Sequence, residues 1–308
     1  MKKSLTAGEE FIKKKLITQA SKMKIGILGA NGFIGSNLDL HLRNTKKFKV
    51  YCLSSFNKYK ARWVKKILHD IKKYKPDIII NCAADQNSKE NEKAIIDLLN
   101  SNLKANILFM RQAIKNNNFK GYISFGTKWE FNENGKFDPL NFYAATKHAN
   151  DVFFKYFSSK NNITTVSLKI FETYGKFDKR KRILNLLLKS YKQQKILNVS
   201  PGNQFLDYVH ISEICELIEL ICDDILKNKL KGFNIFAVSS KKPIKLKSLI
   251  KEINKNLIKK IKVIIGGKKY RINEAMKPIR GINNYPGWKS KLNLIKELKK
   301  IFDEDKRK

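Results

Sequence analysis

The sequence has few acidic residues and no long apolar run. Only 27 of its 308 residues are Asp or Glu, against 64 Lys or Arg, which gives a formal net charge of +37. No stretch approaches the ~20 apolar residues that cross a bilayer. The first 22 residues are charged throughout and lack the apolar segment of a secretory signal. We therefore expect a cytoplasmic protein with no membrane partner.

Patterns typical of metal sites and disulfides are also missing. The four cysteines include no C-x-x-C pair, and the four histidines are scattered along the chain. Because metal ligands come in closely spaced sets, the sequence predicts no metal site. Cysteines in apolar, strand-like runs, such as Cys52 and Cys82, are typical of the reduced thiols of a cytoplasmic protein.

The excess of positive charge raises the question of nucleic-acid binding. Lysine is spread over the whole chain, however, together with much asparagine, isoleucine and phenylalanine, which is the joint bias of an AT-rich genome. No recognition motif for nucleic acid stands out. We expect no nucleic-acid partner, and instead a positive surface that attracts a nucleotide diphosphate.

Apolar strand-like segments alternate with helical ones through the first half of the chain. The predicted strands are 24–28, 48–53, 77–82, 121–126 and 164–170, with a helical pattern over 94–115. This alternation predicts an α/β fold of Rossmann type, a doubly wound parallel sheet with helices on both faces. We assign 1–22 to an N-terminal extension and 23–170 to a dinucleotide-binding domain. Residues 171–308 are predicted to form mainly a smaller C-terminal substrate-binding lobe, with segments returning to the sheet.

A glycine-rich turn follows the first predicted strand directly. Glycines at its three repeated positions permit a tight turn, close approach of the backbone to a pyrophosphate, and close packing of helix on strand. The helix that opens behind the turn offers free N–H groups to the same anion. The predicted cofactor-binding residues of the turn are Gly29, Asn31, Gly32, Phe33, Ile34 and Gly35.

The end of the second predicted strand carries Ser54 where an acid is expected to hold the adenine ribose. No Asp or Glu occurs between Asp39 and Asp70. Three cations suited to a 2′-phosphate follow in sequence: Lys58, Lys60 and Arg62. The sequence therefore favours NADP(H), with NAD(H) as the alternative cofactor and Ser54 as a cofactor-binding residue.

Tyr143 and Lys147 are four residues apart, which places them on one face of a predicted helix. A phenol with a pKa of about 10 is a poor acid–base group at neutral pH, and a nearby ammonium lowers that pKa. A hydroxyl partner is expected at the end of the preceding strand, where Ser124 and Thr127 stand. We assign this role to Thr127, which comes last. The predicted catalytic set is Thr127, Tyr143 and Lys147, with Tyr143 and Lys147 also contacting the cofactor.

Together these motifs resemble the extended short-chain dehydrogenase/reductase family over residues 23–308. Further matching segments are 76–84, Asn100–Leu103, 171–175, 204–211 and Gly287–Trp288. The resemblance implies that Ala83 and Ala84 line the cofactor and that Asn102 belongs to a proton relay. It also implies that Glu172 and Gln204 contact the substrate. An arginine common in the family is replaced by Leu206, so diphosphate binding is expected to shift to Arg271 or Arg280.

The resemblance implies an NAD(P)-dependent enzyme that reduces a 4-keto group on a nucleotide-activated sugar, with Tyr143 as proton donor. The short connection between Thr127 and Tyr143 is similar to that of the family's 4-ketosugar reductases rather than its 4-epimerases. Dehydratases carry Thr-Asp-Glu, whereas Glu130 stands one place too late, so water elimination is disfavoured. A 4-epimerase with tightly held NAD is the alternative, followed by a non-enzymatic dinucleotide-binding protein. A homodimer is left open.

Overall fold

The computed structural model describes residues 22–54, 62–87, 89–271, 274 and 276–304. The predicted N-terminal extension, apart from Lys22, lies outside these residues, as do Lys58 and Lys60. No helix within the described ranges is both long and apolar enough to cross a membrane.

Strands and helices alternate through the first half of the chain, as the sequence predicts. The strands are β1 (Lys24–Leu28), β2 (Lys49–Cys52), β3 (Ile78–Asn81), β4 (Gly121–Thr127), β5 (Thr164–Ile170), β6 (Glu172–Tyr174), β7 (Leu197–Val199), β8 (Phe205–Leu206), β9 (Tyr208–His210), β10 (Phe233–Val238), β11 (Ile244–Lys245) and β12 (Val263–Ile265). The helices are α1 (Phe33–Thr45), α2 (Trp63–Tyr74), α3 (Glu92–Leu98), α4 (Ala105–Ala113), α5 (Phe142–Asn161), α6 (Ile183–Gln193), α7 (Ile211–Leu226), α8 (Leu246–Lys255) and α9 (Leu294–Glu304).

Six strands form one parallel sheet in the order β2-β1-β3-β4-β5-β10. Helices α1 and α7 pack on one face through residues such as Leu38 and Leu217. Helices α2, α4 and α5 cover the other face through residues such as Ile67 and Phe109. Strand β3, in the middle of the sheet, is buried on both faces and is apolar over Ile78–Ile80. The predicted doubly wound Rossmann-type sheet is confirmed.

The sheet order reverses at β1. The chain leaves β1 for β2 on one side and later returns to β3 on the other side. In such sheets a crevice opens over the carboxyl ends of the strands at the point of reversal. The glycine turn after β1, Ala83 after β3 and Thr127 at the end of β4 therefore meet at one edge.

A third apolar cluster lies outside the sheet. It joins α6, α8 and α9 to the short strands β7 and β12 through residues such as Leu187, Leu249 and Phe302. Helix α7 and strand β10 return to the main sheet from the same half of the chain. The predicted boundary between the two domains at residue 170 stays a prediction.

The predicted helix over 94–115 is interrupted. Helices α3 and α4 are separated by a π-helical segment, Leu99–Lys104. A π-turn widens the helix and frees carbonyl groups, and side-chain amides then take them up. Here the Asn106 amide donates to the Asn102 carbonyl at 2.6 Å, and the Ser101 hydroxyl donates to the Asp97 carbonyl at 2.6 Å.

Candidate active site

Two glycines of the turn after β1 are required by the fold. Gly29 has φ +73°, and a Cβ on it would lie 2.7 Å from the Ala83 nitrogen. A Cβ on Gly35 would lie 2.8 Å from the Ala30 Cα, so α1 packs this closely only with glycine there. Gly32 differs, because among the described residues a Cβ on it would contact only the Gly29 carbonyl oxygen, at 3.3 Å. The missing side chain of Gly32 therefore leaves open space at the N-terminus of α1, whereas Gly29 and Gly35 are needed for packing inside the fold.

The N-terminus of α1 is open to an anion. Gly32 caps the helix without a side-chain hydrogen bond, and the first turn contains no acidic residue. The unpaired N–H groups and the positive end of the helix dipole thus meet no competing carboxylate from this turn. Asn31 is exposed, and the Phe33 ring lies 4.3 Å from the Arg180 guanidinium.

Ser54, at the end of β2, is bonded to a carboxylate that its sequence position does not reveal. Its backbone N–H and its hydroxyl both donate to Asp70 Oδ2, at 2.7 and 2.6 Å. Asp70 lies 16 residues away on α2, and no local spacing links the two residues. Since a hydroxyl has one proton, the Ser54 Oγ–H is already used by Asp70 and is not free to donate to a 2′-phosphate.

A cavity of about 420 Å³ opens at the reversal point of the sheet and runs toward the C-terminal half. Nine predicted site residues line it: Ile34, Ala83, Ala84, Thr127, Tyr143, Lys147, Glu172, Gln204 and Arg271. The other six belong to the glycine turn and the end of β2, and they do not line it: Gly29, Asn31, Gly32, Phe33, Gly35 and Ser54. Arg280 lines an adjacent cavity of about 380 Å³.

Thr127 ends β4 with its hydroxyl oxygen held by the backbone. The Trp129 N–H donates to Thr127 Oγ1 at 3.3 Å, and the Thr127 N–H donates to Glu130 Oε1 at 2.7 Å. With a backbone donor on its oxygen, the hydroxyl keeps its own proton for a group in the cavity. Ser124, the other candidate, is buried within the sheet and does not line the cavity.

Tyr143 and Lys147 lie one turn apart on α5, both buried. Burial raises the pKa of Tyr143, the Glu130 carboxylate adds to this rise, and Arg182 opposes it. Burial also lowers the pKa of Lys147 to about 8 against the opposing effect of Glu130. Tyr143 is therefore held in its protonated, donor form. The expectation that the lysine lowers the pKa of the phenol is outweighed here by desolvation.

Three arginines approach one another on the far side of the cavity. Burial, together with the nearby Arg180 and Arg271, lowers the pKa of Arg182. Arg180 forms a two-point ion pair with Asp178, at 2.7 and 2.8 Å. The sequence prediction named only Arg271 of the three. A signal for the other two existed, because only three residues separate the basic run 179–182 from the matched segment 171–175.

Glu172 and Gln204 line the cavity with their polar groups already engaged. Glu172 pairs with the Lys128 ammonium at 2.5 Å and accepts the Asp207 N–H at 2.9 Å. The Gln204 amide donates to Ser200 Oγ at 2.9 Å.

Asn102 is buried and does not reach the cavity. Its side chain forms two hydrogen bonds with the backbone of Asp85, each 2.9 Å long. Its carbonyl accepts the amides of Asn106 and Asn150.

One group of potential metal ligands occurs among the described residues. Atoms of Glu130, His148 and Asp151 lie within 4.8 Å of one another. The Lys169 ammonium lies 2.5 Å from Glu130 Oε2 and 2.6 Å from Asp151 Oδ2. An ammonium thus already bridges the two carboxylates.

Comparison with known proteins agrees with this architecture. The model of the NAD dependent epimerase/dehydratase family matches residues 25–235. CDP-abequose synthase of Yersinia pseudotuberculosis is 25% identical over 269 residues, which cover 83% of this chain and 92% of that protein. RMD from Pseudomonas aeruginosa, solved with NADPH, has a TM-score of 0.77 at 15% identity, over 93% of this chain and 100% of that one. UDP-glucose 4-epimerase of Thermus thermophilus, solved with NAD, has a TM-score of 0.76 at 14% identity, over 92% of this chain and 99% of that one.

Proposed function

The chain belongs to the NAD dependent epimerase/dehydratase family, and we propose that it reduces the 4-keto group of a nucleotide-activated sugar at the expense of NAD(P)H. The observation that carries the proposal is the cavity itself. Thr127, Tyr143 and Lys147 line it near the carboxyl ends of β3 and β4, and Arg182 and Arg271 line it further on. A relative that aligns with 83% of the chain, at 25% identity, is named CDP-abequose synthase.

The glycine turn fits the diphosphate of a dinucleotide. Gly32 leaves space above the N-terminus of α1, and that helix has no acid in its first turn. Ile34, Ala83 and Ala84 line the entrance from the turn into the cavity. When bound, the reduced nicotinamide supplies the hydride that the sugar carbon accepts.

The chain's own residues handle the proton. Tyr143, held protonated by burial, donates the phenolic proton to the sugar oxygen as the carbonyl bond is reduced to an alcohol. Thr127, whose oxygen already accepts a backbone N–H, donates a hydrogen bond to the same sugar oxygen. Lys147 holds the nicotinamide ribose. A proton from solvent restores the phenol after each turnover.

The arginines suit the diphosphate of the substrate. Arg180 and Arg271 both depress the pKa of the half-buried Arg182. A diphosphate near these guanidinium groups relieves their mutual repulsion and forms charge-assisted hydrogen bonds. Arg271 stays a proposed diphosphate contact, and we add Arg180 and Arg182 to it. Glu172 and Gln204 remain proposed substrate contacts beside them.

We propose NADP(H) as the preferred cofactor and NAD(H) as the alternative. The support is the lack of an acid on the end of β2 and the position of Arg62 directly before α2. Asp70 instead disfavours NADP(H), since its carboxylate accepts a hydrogen bond from Ser54 and would repel a 2′-phosphate there. The preference therefore depends on cations outweighing one carboxylate. One relative in structure is solved with NADPH and another with NAD.

Dehydration remains disfavoured. Glu130, the acid nearest in sequence to the position that dehydratases use, is fully buried and bonded to Lys169 and Thr127 instead of lining the cavity. A 4-epimerase remains the second candidate, because a solved neighbour is a UDP-glucose 4-epimerase. A non-enzymatic role is the third candidate, and the retained Thr127, Tyr143 and Lys147 argue against it.

A second copy of the chain is the proposed protein partner, and the cytoplasm the proposed location. Four exposed apolar side chains support the homodimer: Ile96 on α3, Leu99 at the start of the π-helical segment, and Val152 and Tyr156 on α5. Helix α5 contacts both α3 and the π-helical segment, so these side chains belong to neighbouring elements. Apolar patches of this kind are typical of subunit interfaces.

The test is an assay of purified protein with NADPH or NADH and a panel of CDP-, UDP-, GDP- and dTDP-linked 4-keto sugars. The proposal expects stoichiometric oxidation of the dinucleotide with one member of the panel. The corresponding 4-hydroxy sugar nucleotides are assayed in parallel, and their interconversion without net dinucleotide oxidation favours the epimerase instead.

A further inference from the structure

The acid after β4 binds the backbone of the proposed catalytic hydroxyl. Glu130 is fully buried, and its Oε1 accepts the N–H of Thr127 at 2.7 Å. In return, the Thr127 hydroxyl oxygen accepts the Trp129 N–H, so each end of this single turn caps the other. These two hydrogen bonds hold the Thr127 side chain in one orientation at the end of the strand.

The same carboxylate is tied to the helix that bears the tyrosine. Lys169 on β5 is fully buried, with its ammonium 2.5 Å from Glu130 Oε2 and 2.6 Å from Asp151 Oδ2. Asp151 follows Tyr143 and Lys147 on α5 at successive four-residue steps, so the three residues share one face of the helix. The contacts Thr127–Glu130–Lys169–Asp151 therefore link the end of β4 to α5.

This chain of contacts lies directly beneath the cavity. Gly126 lines the cavity, and a Cβ on it would lie 2.8 Å from the Lys169 ammonium. Any side chain at Gly126 would therefore overlap the buried charges, so glycine at this position lets them lie this close to the cavity wall. The contacts from Thr127 to Asp151 can therefore set the geometry of the site without touching the substrate.

We propose that Glu130, held by Lys169 and Asp151, is a positioning residue that fixes the Thr127 hydroxyl as a donor at the correct distance from Tyr143. This inference rests on the proposed reduction. It also explains why an acid out of register for dehydration is nevertheless buried at this place.

The charges around the cluster predict a second effect. Glu130 faces Lys169 from β5, and His148 and Asp151 from α5. Tyr143 is acted on by Glu130, Arg182 and Asp85, and the first and last of these raise the pKa of the phenol. Removing the Glu130 charge should lower the pKa of Tyr143. The same carboxylate also raises the pKa of Lys147, which is about 8. Without the Glu130 charge Lys147 should lose its proton at lower pH, so the alkaline limb of the pH–rate profile should move to lower pH.

The experiment compares Glu130→Gln with Glu133→Gln, which removes an exposed acid three residues further along that pairs with exposed Lys277. For Glu130→Gln we expect kcat to fall on the order of 10- to 100-fold. KM and the NADPH dissociation constant should stay near their wild-type values. The alkaline limb of the pH–rate profile should move to lower pH. Glu133→Gln should match the wild type in every respect.

Two further variants keep the test decisive should Glu130→Gln fail to fold. Lys169→Arg preserves the charge bridge and should retain most of kcat, whereas Lys169→Met should lose it. An active wild type with unchanged kcat and pH profile in Glu130→Gln would overturn the positioning role and leave the proposed reduction standing. A wild type inactive on all 4-keto sugars would overturn both.

Discussion

Tyr143 and Lys147 are both removed from solvent at the wall of the cavity, with exposed fractions of 8% and 4%. Burial disfavours the charged form of each group, which keeps the phenol protonated and makes the ammonium easier to deprotonate. A reductase uses the protonated phenol directly as a proton donor. The buried ammonium lowers the free energy of unfolding, and this effect can be measured.

Replacing Lys147 with Met should stabilise the dinucleotide-free protein at neutral pH. The pKa of Lys147 falls from its ordinary 10.5 to about 8 in the fold, so the unfolded chain binds more protons between these values. Stability contributed through this group therefore rises with pH across that window and is lowest below it. Lys147→Met should raise the free energy of unfolding at pH 7 by up to about 3 kcal/mol.

Thermal unfolding at a series of pH values checks this, with Lys155→Met as the control for an exposed lysine on the same helix. The gain in the free energy of unfolding should shrink as the pH rises toward 10.5, the ordinary pKa of a lysine side chain. A variant less stable than the wild type at pH 7 would show that the ammonium makes stabilising bonds in the fold.

Ser54 and Asp70 give the cofactor preference a test at single residues. We expect the wild type to bind NADPH more tightly than NADH. Ser54→Asp should reverse the order, because it adds a second carboxylate where a 2′-phosphate would lie. Asp70→Asn should strengthen NADPH binding several-fold and leave NADH binding nearly unchanged. Titrations of both dinucleotides against the three proteins decide the matter, and equal affinities throughout would mean that the end of β2 does not read the ribose.

At the scale of elements, the glycine turn predicts opposite outcomes for two similar changes. Gly32→Val should leave the fold intact and abolish dinucleotide binding, because its side chain would fill the space above α1. Gly35→Val should prevent α1 from packing against the turn, where a Cβ already overlaps the Gly29 carbonyl. Circular dichroism and dinucleotide titration separate the two. Normal cofactor binding by Gly32→Val would remove the turn from the site.

The elements that local pattern determines were predictable. Strands β1 and β5 begin and end at the predicted residues, since short segments that carry apolar side chains and lie between helical patterns are typical of parallel strands. The helical spacing of Tyr143 and Lys147, and the position of Thr127 at a strand end, likewise predicted which residues meet in the cavity.

Contacts between distant elements were not predictable. Ser54 and Asp70 are 16 residues apart, and Glu130 and Lys169 are 39 residues apart. Neither pair shares a helix face or a strand ladder, so periodicity carries no trace of them. The π-helical turn was not predicted for a related reason. It is stabilised by side-chain hydrogen bonds such as that of the Asn106 amide, which the spacing of apolar residues does not reveal.

At the scale of the whole molecule, the exposed apolar side chains on α3 and α5 predict self-association. Val152→Glu should convert a dimer into a monomer without changing the fold, because it places a charge within the proposed interface at a residue that is 64% exposed in the single chain. Ile258 lies outside the proposed interface and is 85% exposed, so Ile258→Glu should leave the molecular mass of the assembly in solution unchanged. Light scattering at several concentrations measures both. A monomeric wild type would rule the interface out.

The central claim, hydride transfer to carbon 4 of a nucleotide-linked sugar with proton donation by Tyr143, is tested most directly by isotope transfer. The protein is incubated with NADPH that carries two deuterium atoms on carbon 4 of the nicotinamide, and with the 4-keto sugar nucleotide that it consumes. We expect one deuterium on carbon 4 of the product. With Tyr143→Phe, which removes only the phenolic oxygen, turnover should fall on the order of 100-fold or more, with NADPH binding retained. A product without deuterium, or near-normal turnover by Tyr143→Phe, would contradict the account.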